Sequence, residues 1–115
     1  MINEEDLYPL LGNRLPGLQA EINNMGDSAC PYKLAAFFAV YTKRLIAARN
    51  YREVKKCFSE AEELFRNGCP TIKDAMENVY IFSVSNTIGR GHKLYEEFSS
   101  LLKEGYKQQV DVVRT

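Results

Sequence analysis

Apolar residues recur at intervals of three and four along almost the whole chain, the spacing that places side chains on one face of an α-helix. The clearest series consists of Val54, Cys57, Phe58, Ala61, Leu64 and Phe65. Asn50 is a favoured residue just before a helix, and Gly68, which Pro70 follows, is a favoured residue just after one. The pattern therefore predicts one amphipathic helix between Asn50 and Gly68.

The first 27 residues carry the same spacing with interruptions. Their apolar positions are Leu7, Leu10, Leu11, Leu15, Leu18, Ile22 and Met25. Gly12, Pro16 and Gly17 fall among them, and glycine and proline interrupt helices. We therefore predict two short helices with a bend, followed by a loop from Asn24 to Ser28.

A longer helix is predicted from Pro31 to about Arg49. Proline suits the first helical position, because the N–H that it lacks would have no partner there. The stripe expected to face the core consists of Leu34, Phe37, Phe38, Tyr41, Leu45 and Ala48.

The most apolar helix is predicted to begin at Thr71, because Thr71 and Asp74 have the spacing of a capping box. One of its faces consists of Ile72, Ala75, Met76, Val79, Phe82 and Ser83, and a second of Tyr80, Ile81, Val84 and Ile88. Since both faces are apolar, we expect neighbours to cover this helix on two sides. Glu77 and Asn78 lie within it as candidate buried polar residues. A buried side chain of this kind needs a hydrogen-bond partner, and we favour a structural role for the two over a ligand pocket.

A last helix is predicted after the turn Gly89–Gly91, with a tail from Asp111 that frays. Its inward positions are Leu94, Tyr95, Phe98, Leu101, Leu102 and Tyr106. Short connections between successive helices favour antiparallel neighbours. The sequence thus predicts an all-α fold, either an antiparallel bundle or a short array of four to five helices. We expect one domain over residues 1–115, with short helices in 1–27, core helices in 31–109 and a frayed tail in 111–115.

The composition agrees with this expectation: 115 residues, 45% hydrophobic and 26% charged, suit one globular domain. No signal or transit peptide is recognisable, and no apolar run approaches the roughly 20 residues that cross a bilayer, so we expect a cytoplasmic protein without membrane contact. Fifteen basic and fifteen acidic residues cancel, which disfavours diffuse attraction to nucleic acid.

The charges are unevenly placed. Residues 1–30 contain five acids and one base, whereas 43–56 contain six bases and one acid. The basic stretch spans the connection between the helix that begins at Pro31 and the helix that follows Asn50. Its candidate interaction residues are Lys43, Arg44, Arg49, Tyr51, Arg52, Lys55 and Lys56. A solvated face is the simpler interpretation. The sharper one is a docking patch for an acidic protein surface or a phosphate backbone, anchored by Tyr51.

Residue types that carry chemistry are sparse. His92 is the only histidine, and Cys30, Cys57 and Cys69 lack metal-ligand spacing and are expected to be reduced thiols. The glycines do not form a phosphate-binding loop. We therefore expect no metal, no cofactor, no catalytic residues and no enzymatic activity.

Two resemblances concern the fold. The run Ala75-Met76-Glu77-Asn78-Val79-Tyr80-Ile81-Phe82-Ser83-Val84-Ser85, with the later Leu101-Leu102, Tyr106 and Gln109, resembles a family of small all-helical bacterial proteins of uncharacterised function. The stretch from Asn50 to Ala61 is similar to the second helix of a tetratricopeptide unit, although the Trp-x-x-Leu-Gly signature is missing and no 34-residue period follows. Both imply helices, and neither assigns site residues.

The sequence therefore favours a non-enzymatic protein-interaction module with a protein partner. A toxin-neutralising, immunity-type protein and a small-ligand-binding helical domain remain alternatives. Nucleic acid is a disfavoured partner, and a homodimer stays open.

Overall fold

The computed structural model describes residues 1–22, 30–88 and 92–101 as an array of helices. In chain order these are α1 (Glu4–Arg14), α2 (Pro16–Ile22), α3 (Pro31–Ala47), α4 (Tyr51–Asn67), α5 (Pro70–Ala75), a π-helical segment (Met76–Ile81), α6 (Phe82–Ser85) and α7 (residues 95–101). No strand occurs among these residues, which confirms the all-α prediction. The expected loop at 24–28, the turn at 89–91 and the segment after 101 lie outside the described residues.

Helix α4 follows its predicted pattern closely. Asn50 precedes it and Gly68 follows it, and the six residues of the predicted apolar series are all buried. At Gly68 the constraint is space: a Cβ there would lie 2.5 Å from the Leu64 carbonyl oxygen and 2.7 Å from Ile72. Only glycine therefore lets α5 begin so close to the end of α4.

The N-terminal residues close this junction. Ile2 forms an isolated parallel bridge with Gly68. Its N–H donates to the Asn67 carbonyl (2.6 Å), and its carbonyl accepts the Cys69 N–H (2.8 Å). Helix α1 follows directly, and its Leu7 and Leu11 join the core. The start of the chain is thereby fixed against the connection between α4 and α5.

The buried face of α3 differs from the predicted stripe. It consists of Pro31, Leu34, Ala35, Phe38, Ala39, Thr42 and Ile46. The predicted core residue Ala48 is exposed, and Phe37, Tyr41 and Leu45 are only half-buried. Small residues face the core here because neighbouring helices approach α3 closely, and a pattern weighted towards large apolar side chains misses them.

Helix α5 begins at Pro70, after Cys69, so the predicted capping box at Thr71 is wrong. The Asp74 carboxylate instead accepts hydrogen bonds from the Tyr32 hydroxyl and the Asn78 amide, both at 2.6 Å. Proline accounts for the earlier start, because it suits the first turn of a helix.

The π-helical segment changes which residues of the continuous helix 70–85 face inward. Its hydrogen bonds run to the fifth residue instead of the fourth, so the wider turn moves later positions around the axis. The inward positions are Ile72, Ala75, Met76, Tyr80 and Val84, with Ile88 beyond. Phe82, predicted to be in the core, is 68% exposed, so the expectation of two covered faces is wrong at this position.

A buried polar cluster joins α3 and the π-helical segment. The Thr42 hydroxyl donates to the Phe38 carbonyl (2.9 Å), so the Tyr80 hydroxyl, also 2.9 Å away, must donate to Thr42. The Tyr80 ring stacks on Phe38 with 4.3 Å between centroids. Thr42 therefore links α3 to the π-helical segment through one side chain.

In the described part of the chain, no helix is both long enough and apolar enough to pass through a lipid bilayer.

The substitution Thr42→Val tests the buried cluster, because valine keeps the shape of threonine and removes the oxygen. It leaves the Tyr80 hydroxyl buried without an acceptor, so we expect the free energy of unfolding to fall by about 1–3 kcal/mol. Urea denaturation measures it. The double variant Thr42→Val/Tyr80→Phe removes both partners and should lose less than the sum of the two single losses; strict additivity would contradict the assigned hydrogen bond.

Candidate functional site

The seven candidate interaction residues surround the connection between α3 and α4, which we call the basic turn. Arg44, Arg49, Arg52, Lys55 and Lys56 are exposed. Lys43 and Tyr51 are half-buried. The end of one helix and the first turns of the next thus gather six cations around one aromatic ring.

Hydrogen bonds hold the backbone of the basic turn in one conformation. The Arg49 N–H donates to the Ile46 carbonyl (3.0 Å), and the Asn50 N–H donates to the Leu45 carbonyl (2.9 Å). These two bonds form a Schellman motif. The motif needs a left-handed residue between the helices, and Arg49 supplies it with φ of 59°. Glycine is the residue that adopts this conformation at least cost.

The cations of the basic turn differ in their partners. The Lys55 ammonium lies 3.6 Å from the Glu97 carboxylate, and the Lys56 ammonium lies 3.2 Å from Glu53. Among the described residues, no carboxylate lies within ion-pair distance of Arg49 or Arg52. The described fold therefore leaves the charges of these two arginines without an ion pair.

The N-terminal acids whose side chains the structure describes do not supply the missing carboxylates. Glu4, Glu5 and Asp6 form the first turn of α1, where negative charge is favoured by the helix dipole. The described N-terminal residues do form ion pairs with α4, but through a basic residue. The Arg14 guanidinium lies 3.3 Å from the Glu60 carboxylate and 3.0 Å from the Glu63 carboxylate. Both carboxylates raise the pKa of the Arg14 guanidinium, with Glu60 contributing most.

His92 contacts the basic turn. Its ring meets that of Tyr51 edge to face, with 5.8 Å between centroids. Its Nδ1 accepts the Leu94 N–H (3.1 Å), so His92 also caps the start of α7. A polar residue just before a predicted helix is the sequence signal for this role, but its contact with Tyr51 depends on tertiary packing.

The other candidate residues, Glu77 and Asn78, lie away from the basic turn. Asn78 is exposed and donates to Asp74, so the expectation of a buried asparagine is wrong. Glu77 is half-buried, and burial raises the pKa of its carboxyl, with a smaller contribution from Asp74. Glu77 and Asn78 therefore do not form the buried polar pair that the sequence predicted.

A groove of about 250 Å³ lies between α4 and α7. Its lining includes Lys55, Phe58, Ser59, Glu62, Glu97 and Leu101. It is open to solvent, and it does not coincide with Glu77 and Asn78. Glu97 connects it to the basic turn through its pair with Lys55, and its second carboxylate oxygen is buried without a hydrogen-bond partner.

The cysteines differ sharply in environment. Cys30 and Cys69 are half-buried and precede α3 and α5, whereas Cys57 is fully buried. Burial raises the pKa of the Cys57 thiol to about 12, so the nucleophilic thiolate is withheld at neutral pH. Across the described ranges, no three His, Cys, Asp or Glu side chains come together in a group that could hold a metal ion.

The substitution Arg49→Gly tests the strain in the basic turn. A left-handed conformation costs a residue with a side chain about 1–2 kcal/mol, and glycine removes this cost. Part of the gain is offset because glycine has more conformational freedom to lose from the unfolded chain. We expect the free energy of unfolding to rise by about 0.5–1 kcal/mol. Arg52→Gly, which lies inside α4, is the matched control and should destabilise. A loss of stability in Arg49→Gly would refute the assigned strain.

The buried thiol predicts a specific pattern of alkylation. With Cys57 as the sole thiol, in Cys30→Ser/Cys69→Ser, the rate of iodoacetamide labelling at about pH 8 should follow the unfolded fraction and rise steeply with urea. With Cys69 as the sole thiol, in Cys30→Ser/Cys57→Ala, the rate should depend far less on urea. Mass spectrometry measures both rates. Equal rates in the two native proteins would contradict the protection of Cys57.

Comparison with known proteins gives a family but no activity. Searches of curated proteins and of solved structures found no match to the chain. Residues 8–112 match a family described as a domain of unknown function, DUF7674. This confirms the expected resemblance to an uncharacterised family, and the helices described above agree with it. Because the match spans most of the 115 residues, the chain belongs to the DUF7674 family.

Proposed function

We propose that this chain is a non-enzymatic protein-interaction module that binds an acidic protein surface through the basic turn. The observation that carries the proposal is Arg49, a long cationic side chain at the left-handed position of the turn. Glycine would adopt this backbone conformation at a lower cost in free energy. We therefore attribute the arginine side chain to binding instead of to folding.

The geometry of the turn suits a docking surface. Its backbone is held by the Schellman hydrogen bonds, so little freedom is lost when a partner binds. Tyr51 is half-buried at its centre and is positioned by His92. A fixed aromatic ring flanked by arginines is the residue composition that dominates binding energy at protein interfaces.

An acidic protein fits this surface better than a nucleic acid. Glu53 and Glu97 lie at the edge of the turn beside Lys56 and Lys55. These carboxylates would repel a phosphate backbone that follows the cations, whereas a protein can place its acids opposite Arg49 and Arg52 alone. The formal net charge of zero points the same way.

The test compares two variants with the same change in net charge. Arg52→Glu reverses a cation in the turn, and Lys33→Glu reverses an exposed cation near the start of α3, at the other end of that helix. The probe is a glutamate-rich peptide with one tyrosine, titrated into the labelled protein and followed by backbone amide NMR. We expect Arg52→Glu to weaken binding about tenfold at low salt, an effect that added salt reduces.

Amide shifts in the wild-type protein should centre on residues 49–56. Lys33→Glu should bind the peptide as the wild type does. The partner itself should co-purify from the native cells with wild type and Lys33→Glu and be depleted with Arg52→Glu. Equal weakening in both variants would reduce the effect to net charge and contradict the proposal.

A further inference from the structure

The carboxylate of Glu97 is incompletely satisfied within the described fold. Its nearer oxygen lies 3.6 Å from the Lys55 ammonium nitrogen, which is longer than the about 2.7–2.9 Å of a hydrogen bond between two charged groups. Its other oxygen is buried, and among the described residues no group donates a hydrogen bond to it. A buried acceptor without a donor costs free energy, and a donor from outside the fold would remove this cost.

The groove between α4 and α7 surrounds this carboxylate. Its α4 wall is one helical face, with Lys55, Phe58, Ser59 and Glu62 at intervals of three and four. The α7 wall has the same spacing and consists of Glu97, Ser100 and Leu101. Phe58 and Leu101 are buried and form an apolar floor. Ser59 and Ser100 are exposed, so their hydroxyls lie at the rim.

The charge of the groove identifies the kind of group that fits it. Its described lining contains two carboxylates, those of Glu62 and Glu97, and one ammonium, that of Lys55. Glu62 already pairs with Arg66, so Glu97 is the carboxylate that can take a new cation. An apolar floor next to a carboxylate suits a long cationic side chain, because its methylene stem can lie on apolar groups while its charged end binds the acid.

We propose that the groove binds a lysine side chain of the acidic partner protein. The lysine stem lies on Phe58 and Leu101, and its ammonium group binds Glu97. A carboxylate turns readily about its last bond, so either oxygen of Glu97 can accept. An ammonium group has three protons, and the hydroxyls of Ser59 and Ser100 are acceptors for the remaining two.

The position of the groove indicates that the lysine belongs to a protein. Lys55 lines the groove and is also part of the basic turn. Arg52 and Ser59 are seven residues apart on α4, which is about 10 Å along the helix. One partner surface can therefore place acids at the turn and a lysine in the groove. Because the groove is open to solvent, a side chain that projects from that surface can enter it.

The inserted lysine also changes the basic turn, and this step rests on the proposed function. A second ammonium group at Glu97 competes with Lys55, whose pair with Glu97 is long and exposed to solvent. Lys55 is then released to bind the partner's acids together with Arg49 and Arg52. A partner that carries the lysine thus gains one attractive contact in the groove and another at the turn.

A double-mutant cycle between protein and peptide tests the lysine contact. Two glutamate-rich peptides with one tyrosine differ at one position, about 10 Å from the nearest glutamate, which is either lysine or norleucine. Norleucine keeps the alkyl stem and lacks the charge. In backbone amide NMR titrations, the lysine peptide should bind wild type about fivefold more tightly and extend the shifts to residues 59–62 and 97–101. In Glu97→Gln the lysine advantage should fall below about twofold, because the amide has no charge.

Glu96→Gln is the matched control, with the same charge change at an exposed position outside the groove lining. The lysine advantage should persist in it, and thermal unfolding checks that both variants fold. An advantage that survives Glu97→Gln, or that Glu96→Gln abolishes equally, would overturn the inference. Equal binding of the two peptides to wild type would overturn it and leave the proposed function intact.

A short peptide with one lysine and no glutamate separates the two proposals further. If the glutamate-rich peptides do not bind, but the short peptide shifts the groove amides of wild type and not those of Glu97→Gln, the proposed function fails and the lysine site stands. No groove shifts with any lysine peptide would overturn the inference. Tighter binding of putrescine than of the lysine peptides would assign the groove to a free amine and would also overturn it.

Discussion

The buried Thr42 hydroxyl makes one hydrogen bond within its own helix and one to a second helix. It donates to the Phe38 carbonyl of α3 and accepts from the Tyr80 hydroxyl of the π-helical segment. Apolar packing alone tolerates small shifts between helices, but a buried hydroxyl left without its partner is costly. This side chain therefore sets how α3 and the π-helical segment align, and the positions of their surface residues follow from that alignment.

The π-helical segment is the local consequence of the same constraint. It brings Tyr80 to Thr42 while Met76 and Val84 keep facing the core. Phe82 is thereby turned outward. A residue that the apolar pattern predicts in the core is exposed instead, so the most apolar stretch of the sequence provides both the centre of the fold and part of its surface.

Sequence reasoning succeeded where one physical effect dominates. Helix α4 separates large apolar residues cleanly from charged ones, and its ends carry Asn50 and Gly68, so its bounds and buried face were predictable. It failed where the outcome depends on distant residues. The burial of Thr42 depends on Tyr80, and the outward position of Phe82 depends on a wider helical turn that no local pattern signals. The basic turn was predictable as a cluster. The left-handed conformation of Arg49 is a local helix ending that no glycine in the sequence signals, and the contacts from His92 and Glu97 arise only from tertiary structure.

The bridge between Ile2 and Gly68 affects the order in which the parts of the chain fold. It joins residues far apart in sequence, so the chain must lose much of its freedom before the two hydrogen bonds of Ile2 can form. Local contacts within α4 and between neighbouring helices need far shorter loops and form sooner. Docking of the N-terminal residues should therefore be a late folding event.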